Sequence, residues 1–483
     1  MEVKSNRAFF LVRYSGEALR RMSPRAGKSI VLALAAASQA LAQQPAPPDP
    51  LTISQAVAGA LRYYPSVRVS QEQIDIAAAG IRLARTAYLP RVDAVAQANR
   101  ATRNNVFGLV LPQTVIPSIS GPVLGTNGPG TAWGSALGML VTWEPFDFGL
   151  RRANVAAASA LRAQNEASLK RTQFEVAVAT ADAYLTLIAA EQTVRAAQAG
   201  VERAEVVLRI ANALVNAELR PGADASRGDA ELAAARTQLI QAELAVELAR
   251  VTVSQFVGSE PRRVVVSAAR LLQLPPAPVA GPANITANPV ALEQKAAVEQ
   301  ASAQLRALER SYFPRFYLQG SAYARGTGAE VDGRLLGGLN GLGPNTQNYA
   351  VGLTVTFPVL DLPALHAREA AQVYSIRAQT ARAEQIANDL RAQWNRAVAL
   401  EKGDRRIAAN TPIQLAAARA TVQQTTARYQ AGLANIEALA EAQRILAQSE
   451  IDDALARLGI WRGLLAIAAA AGDLEPFLAE ASR

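Results

Sequence analysis

The side chains that carry most covalent and metal chemistry are nearly absent from this sequence. It has no cysteine and a single histidine, His366. Disulfides, thiolate zinc sites and cysteine nucleophiles are therefore excluded, and one imidazole cannot build a multi-histidine metal centre. His366 stands near Asp361 at the start of a long helical pattern, so the pair could be written as a base and its orienting carboxylate. A solvated histidine at a helix start is the plainer reading. No phosphate loop, nucleophile elbow or metal-ligand spacing accompanies it. The chain is therefore expected to be no enzyme and to hold no cofactor or metal.

What remains is architecture. Half of the residues are apolar but only 5% are aromatic, and alanine dominates the apolar share. That composition suits long helices packed closely through small side chains. The formal charge is +9, yet residues 1–42 hold seven Lys/Arg against two Asp/Glu, leaving +4 for the rest. No basic stripe suggests nucleic acid.

The N-terminus reads as an address. Arg20, Arg21, Arg25 and Lys28 precede an apolar run from Ile30 to Ala37, and Ala40-Leu41-Ala42 supplies a small-x-small pattern before Gln43. Residues 1–42 are expected to be a signal peptide, with Met1 or Met22 as the start. The apolar run is far below the ~20 residues a span needs. No cysteine follows the cleavage site, so no lipid anchor is expected there. No later stretch of ~18 uninterrupted apolar residues suggests a membrane helix.

The remainder is written twice. Residues 64–91 align without a gap onto 288–315, setting Pro65 on Pro289, Arg82 on Arg306 and Tyr88 on Tyr312. Gly138 and Thr142 then fall on Gly352 and Thr356, and Gly222 is set against Gly432. The expected division is a first repeat over 43–273, a proline-rich linker over 274–284, a second repeat over 285–475 and a tail over 476–483.

Each repeat has one grammar. A helix comes first, from about Ile53 to Ala87 and from about Pro289 to Ser311, and stops before Pro90 and Pro314. Two strands follow, over about 91–103 and 134–144 in the first repeat and 315–325 and 348–358 in the second. Val92, Ala94, Ala96 and Ala98 alternate with Asp93, Gln97 and Asn99; Tyr349, Val351, Leu353 and Val355 alternate with Ala350, Gly352 and Thr354. Pro117–Gly130 and Gly326–Asn345, rich in Gly, Pro and Asn, read as the loops between strands. Long helical hairpins are expected over about 150–257 and 364–470. In the first, Leu187, Ala190, Val194, Ala197, Val201, Ala204, Leu208, Ala211 and Val215 form a heptad seam. An apolar face opposite a small, polar one suits a wall between lipid and lumen. Four such strands cannot close a barrel, so chains must pool them, and the hairpins would pool into a continuous tube.

The chain resembles the TolC-like outer-membrane efflux proteins from Leu51 to about Leu474. The resemblance rests on Leu51–Pro65, Tyr88-Leu89-Pro90, Pro145-Phe146-Asp147-Phe148-Gly149 and Ala427–Ala434 running on to Leu446. It implies a mainly α fold with membrane β: a homotrimer with a 12-stranded barrel above a 12-helix periplasmic tube. It further implies the outer membrane as location, and a periplasmic adaptor and an inner-membrane transporter as partners. The duct would be passive, exporting small molecules such as drugs or metals. Type I protein secretion is the alternative cargo class, and a soluble periplasmic coiled-coil scaffold or adaptor the alternative architecture.

By motif register, Glu441 takes the place of a gating aspartate at the pore entrance. Ala438 stands at a second acidic position, with Glu437 adjacent, and Asp229 sits one residue from its counterpart in the first half. Tyr429 matches a tyrosine of the closing network, whose arginine position is Ala434 here. The short breaks carrying Arg220, Gly222, Gly432 and Leu433 are the candidate adaptor contacts.

Overall fold

The computed structural model describes residues 50–102, 130–276, 285–330, 332 and 334–483. The expected signal peptide, the first loop up to residue 129 and the linker beyond residue 276 lie outside the described residues.

The first helix of the described residues is two helices, α1 (Ile53–Tyr63) and α2 (Pro65–Thr86), where the sequence reads as one. A reciprocal cap starts α1: Gln55 N donates to Thr52 Oγ1 at 3.2 Å and Thr52 N donates to Gln55 Oε1 at 2.9 Å. The Pro65 ring then bars helical geometry at Tyr64, which sits at φ −68°, ψ 127°, and Pro65 opens α2 at its first position.

Strands β1 (Arg91–Thr102), β2 (Thr131–Phe146), β3 (Arg315–Thr327) and β4 (Thr346–Thr356) form one antiparallel sheet in the order β1-β2-β3-β4. The two halves of the sequence thus join through β2 and β3. Their register sets Val141 opposite Gly320 and Met139 opposite Ala322, while β3 sets Gly320 opposite Val351. Because side chains alternate, Val92, Val141, Gly320 and Val351 share one face. Among the described residues β1 and β4 are open edges.

Helix α3 (Leu150–Asn216) runs 67 residues and α6 (Leu362–Gln430) runs 69. At 1.5 Å per residue each is about 100 Å long. α3 turns back into α4 (Gly222–Val257), and α6 into α7 (Ile436–Ala471). These return helices have 36 residues each, about half the length of their partners. The other half is covered by α2 and by α5 (Pro289–Glu309), which pack on α3 and α6 towards the sheet. Four helices therefore run side by side at every level. Pro412 lies inside α6 and cannot donate to the carbonyl of Ala408.

The main core lies midway along the long helices. Ile53 and Val57 of α1 meet Tyr184, Leu187 and Ile188 of α3, Val253 of α4, and Leu458 and Trp461 of α7. The Tyr184 hydroxyl donates to the carbonyl of Leu51 at 2.7 Å and accepts from Ser267 N at 3.0 Å, stitching the start of the chain to the segment after α4. Residues 476–483, expected as a tail, lie mostly in helix α8 (Glu475–Ala481), whose Phe477 is buried edge-on to Trp461 at 6.2 Å. Among the described residues α7 alone is long and apolar enough to cross a membrane. Its Leu458, Ile460, Trp461 and Leu465 are buried against the other helices, which explains its apolarity without a bilayer.

Candidate functional site

Two regions carry the signs of function: the sheet, and the far tips of the hairpins.

On the sheet, β2 presents Leu137, Met139, Val141 and Trp143 to solvent, and β4 presents Tyr349, Val351, Leu353 and Val355, all on one face. The other face carries Asp93, Gln97, Gln319, Ser321, Asn348 and Thr354. A row of exposed apolar side chains backed by polar ones is a wall with lipid outside and water inside. Trp133 and Trp143 stand on the apolar face of β2, ten residues apart. At ~3.3 Å per residue and a tilt of ~40° that spacing gives an apolar band about 25 Å tall, with an aromatic residue at each rim. At the helical rim the indole of Trp143 donates to the carbonyl of Tyr88 at 3.2 Å.

The strand-to-helix junction is held by a buried ion pair. Asp147 accepts from Gly149 N at 3.1 Å, from Arg151 N at 2.6 Å and from Arg151 Nε at 2.9 Å. Burial works against ionising Asp147, but these hydrogen bonds and the guanidinium outweigh it and hold the carboxyl below its usual range. Arg151 also lies over the Tyr88 ring at 4.9 Å. Around the pair, Phe148 stacks on Phe313 at 5.1 Å and meets Phe146 edge-on at 4.6 Å. The motif from Pro145 to Gly149 flagged this place, but its partner Arg151 was not among the expected residues.

At the tips, the end of α3 and the end of α6 lie together. Val207 and Ala211 pack against Tyr429, Ile436 and Leu439. The fully buried Tyr429 donates its hydroxyl to Asp224 Oδ2 at 3.0 Å. Burial, and then the bond to Asp224, push its hydroxyl up to about 12. Arg220 lies over the Tyr429 ring at 4.9 Å and donates to the carbonyls of Tyr429 at 3.2 Å and Ala434 at 2.6 Å.

This cluster revises the expected pairing of the two halves. α3 and α6 close alike: Leu219 N reaches Leu214 O at 2.9 Å, and Leu433 N reaches Arg428 O at 2.8 Å. Each bond spans a residue with positive φ, Glu218 at 58° and Gly432 at 80°. The structural counterpart of Gly432 is thus Glu218, not Gly222, which instead opens α4. In the same register Arg220 matches Ala434, and Asp224 matches Ala438. The arginine and the acid missing from the second tip are present in the first, and both bind Tyr429.

The other sequence-selected residues are placed differently. Glu441 is exposed and pairs with Arg444 at 2.7 Å, whose hydrogen bond draws the carboxyl below its usual range. Glu437 and Asp229 are exposed near the same end, on α7 and α4. Leu433 is exposed at the tip of the turn. His366 is exposed on α6, its ring 5.5 Å from that of Tyr312.

A sheet with an apolar outer belt and open edges, continuous with helices about 100 Å long, is the architecture of a membrane-spanning duct. The model of the outer membrane efflux protein family matches residues 57–259 and 285–473. The chain belongs to that family: it is an outer-membrane efflux channel protein that extends into the periplasm. Solved structures share the fold. The outer-membrane channel OprN is 21% identical with a TM-score of 0.67, over 87% of this chain and 89% of its own. CusC, described in terms of transmembrane channel formation, is 14% identical with a TM-score of 0.71, over 88% and 93%. The Campylobacter jejuni CmeC outer membrane channel is 15% identical with a TM-score of 0.68, over 89% and 89%. No curated protein matches the chain.

Proposed function

We propose that three copies of the chain form a closed barrel of twelve strands above a tube of twelve helices, a passive conduit for small molecules. The observation that carries this reading is the four-stranded meander with both outer strands unpaired among the described residues. Open strand edges are not tolerated in lipid, and four strands are half of the smallest bacterial barrel, ~8 strands. β4 of one copy must therefore pair with β1 of the next. The helices agree. α4 leaves Ile240, Leu244 and Leu248 exposed, and α6 leaves Leu400, Ile407 and Ile413 exposed. These apolar stripes lie on the outer helices of the chain, where the neighbouring copies would cover them. Twofold repetition in each of three copies would give a nearly sixfold tube.

Energy for transport would come from an inner-membrane transporter, reached through a periplasmic adaptor that binds the tips at Arg220, Gly222, Gly432 and Leu433. The duct itself carries out no catalysis on this reading. Arg220, Asp224 and Tyr429 tie the two tips of one copy together and so favour a narrow entrance. Glu441, Glu437 and Asp229 set the charge around that entrance.

The test is direct. The protein should fractionate with outer membranes, run as a trimer before heating and as a monomer after, and conduct ions in planar bilayers. Deleting the gene should raise drug sensitivity and leave the secreted-protein profile unchanged. A soluble protein after osmotic shock would overturn the duct, and loss of a secreted protein would overturn the small-molecule cargo.

A further inference from the structure

The segment between β3 and β4 does more than connect them. Beyond β3 it continues as a small hairpin, with Glu330 N donating to Arg334 O at 2.9 Å and Leu336 N donating to Gly328 O at 2.9 Å. The chain then makes an excursion over residues 337–344 before Asn345 N returns to Arg325 O at 3.0 Å. The excursion is built, not slack. Gly337, Gly338 and Gly341 take φ of 61°, 58° and 99°. The Asn340 side chain donates to the carbonyls of Leu336 at 3.1 Å and Gly337 at 3.0 Å.

Its side of the sheet is set by two glycines. Gly326 and Gly328 continue the alternation of Leu318, Gly320, Ala322 and Ala324 along the apolar face of β3. A methyl group on Gly326 would run into the carbonyl oxygens of Gly341 and Gly343, and one on Gly328 into the carbonyl of Asn340. The backbone of the excursion therefore lies flat against the outer face. It lies beside Trp133, whose carbonyl accepts from Gly328 N at 2.8 Å. Leu336, just before the excursion, is 40% exposed, and Leu339 on it is 71% exposed. The guanidinium of Arg100 lies over the Trp133 ring at 5.7 Å and donates to Thr131 Oγ1 at 3.0 Å.

We propose that this loop is a membrane anchor: Leu336 and Leu339 insert among the acyl chains of the outer leaflet, next to a lipid phosphate at Arg100. The reading rests on the outer-membrane barrel described above. Two observations support lipid as the occupant. The leucines continue the exposed apolar belt of Leu137, Met139 and Tyr349 at its aromatic rim, where a bilayer changes from hydrocarbon to headgroup. A cation beside an aromatic ring at that level matches an anionic headgroup.

The absence of cysteine makes the test clean. Single cysteines are introduced as Leu339→Cys, Leu137→Cys and Asp332→Cys, and each is labelled with the fluorophore NBD. The assembled protein is placed in phosphatidylethanolamine/phosphatidylglycerol vesicles with or without brominated acyl chains. The label at 339 should lose as much fluorescence to brominated lipid as the label at 137, and resist iodide. The label at 332 should do the reverse. If the label at 339 follows that at 332, or is shielded from both quenchers as in a contact between copies, the anchor is overturned while the barrel stands. If the label at 137 escapes brominated lipid, the barrel reading falls and takes the anchor with it.

Discussion

Arg220 and Ala434 occupy the same place in the two hairpin tips, and Arg220 donates to the carbonyl of Ala434 at 2.6 Å. The two tips are therefore complements, not copies. The first supplies the charged groups, Arg220 and Asp224. The second supplies the buried ring, Tyr429, and the carbonyls that Arg220 binds.

Removing either charged group should loosen the tips. Hydrogen bonds to charged partners contribute about 1.5–3 kcal/mol each. Arg220→Ala and Asp224→Ala should raise amide exchange around residues 214–222 and 428–436 and increase single-channel conductance. Unchanged exchange in both variants would show that apolar packing around Leu439 holds the tips by itself.

The Tyr429 bond should be insensitive to pH over the physiological range. The hydroxyl rises from its ordinary 10.0 to about 12 in the folded tip. A raised pKa means that the folded state holds the proton more tightly. The stabilisation is therefore complete below pH 10.0 and is lost as pH climbs towards about 12. Conductance should stay flat from neutral pH to mild alkali and rise only in that window, and Tyr429→Phe should abolish the rise.

Glu441 should act together with Arg444, since the two pair at 2.7 Å. Glu441→Gln removes a carboxylate and frees a cation, so cation preference should fall. Arg444→Ala frees the carboxylate, so cation preference should increase. Reversal potentials in a salt gradient measure both. No change in either variant would place the pair outside the conduction path.

Asp147 and Arg151 should matter most for stability. Their side chains are only 10% and 8% exposed, and breaking a buried pair costs about 3–5 kcal/mol. Asp147→Asn should lower the thermal midpoint sharply and reduce recovery of the assembled form. Because the pKa of the carboxyl is lowered on folding, its contribution is present above the ordinary 3.8 and disappears as pH drops below it. Wild type should therefore lose stability in acid, and the Asn variant should lose much less.

Glu218→Gly should stabilise the first tip. Glu218 has φ 58°, where a side chain is strained, and Gly432 takes the equivalent place without one. Relief of a left-handed non-glycine residue is worth about 1 kcal/mol. Slower amide exchange over residues 214–220 would register the gain.

The pattern of elements was legible in the sequence because alternation and heptads are local. The four strands and the two hairpins follow from period-two and period-3.5 repeats in single stretches of chain. The break at Tyr64 was missed by reading one helix from Ile53 to Ala87, although the residue before a proline avoids the helical region. The tip cluster was not, because Asp224 and Tyr429 are 205 residues apart and meet only through tertiary packing. Aligning Gly222 with Gly432 hid the relationship. One of these glycines ends a helix in the left-handed region, while the other merely begins one. The offset that set Gly138 on Gly352 would have paired Arg220 with Ala434 and exposed the exchange of roles.

The two unpaired edges of the sheet also say something about inheritance. In the proposed assembly the wall is sealed only when β4 of each copy meets β1 of the next, and such a wall has no tolerance for a faulty member. A chain with a spoiled β4 could still offer a sound β1 and be admitted to the ring, leaving a seam that no other copy can close. In a cell making both kinds of chain, the defect would therefore be dominant, and sound copies would be wasted along with the faulty one.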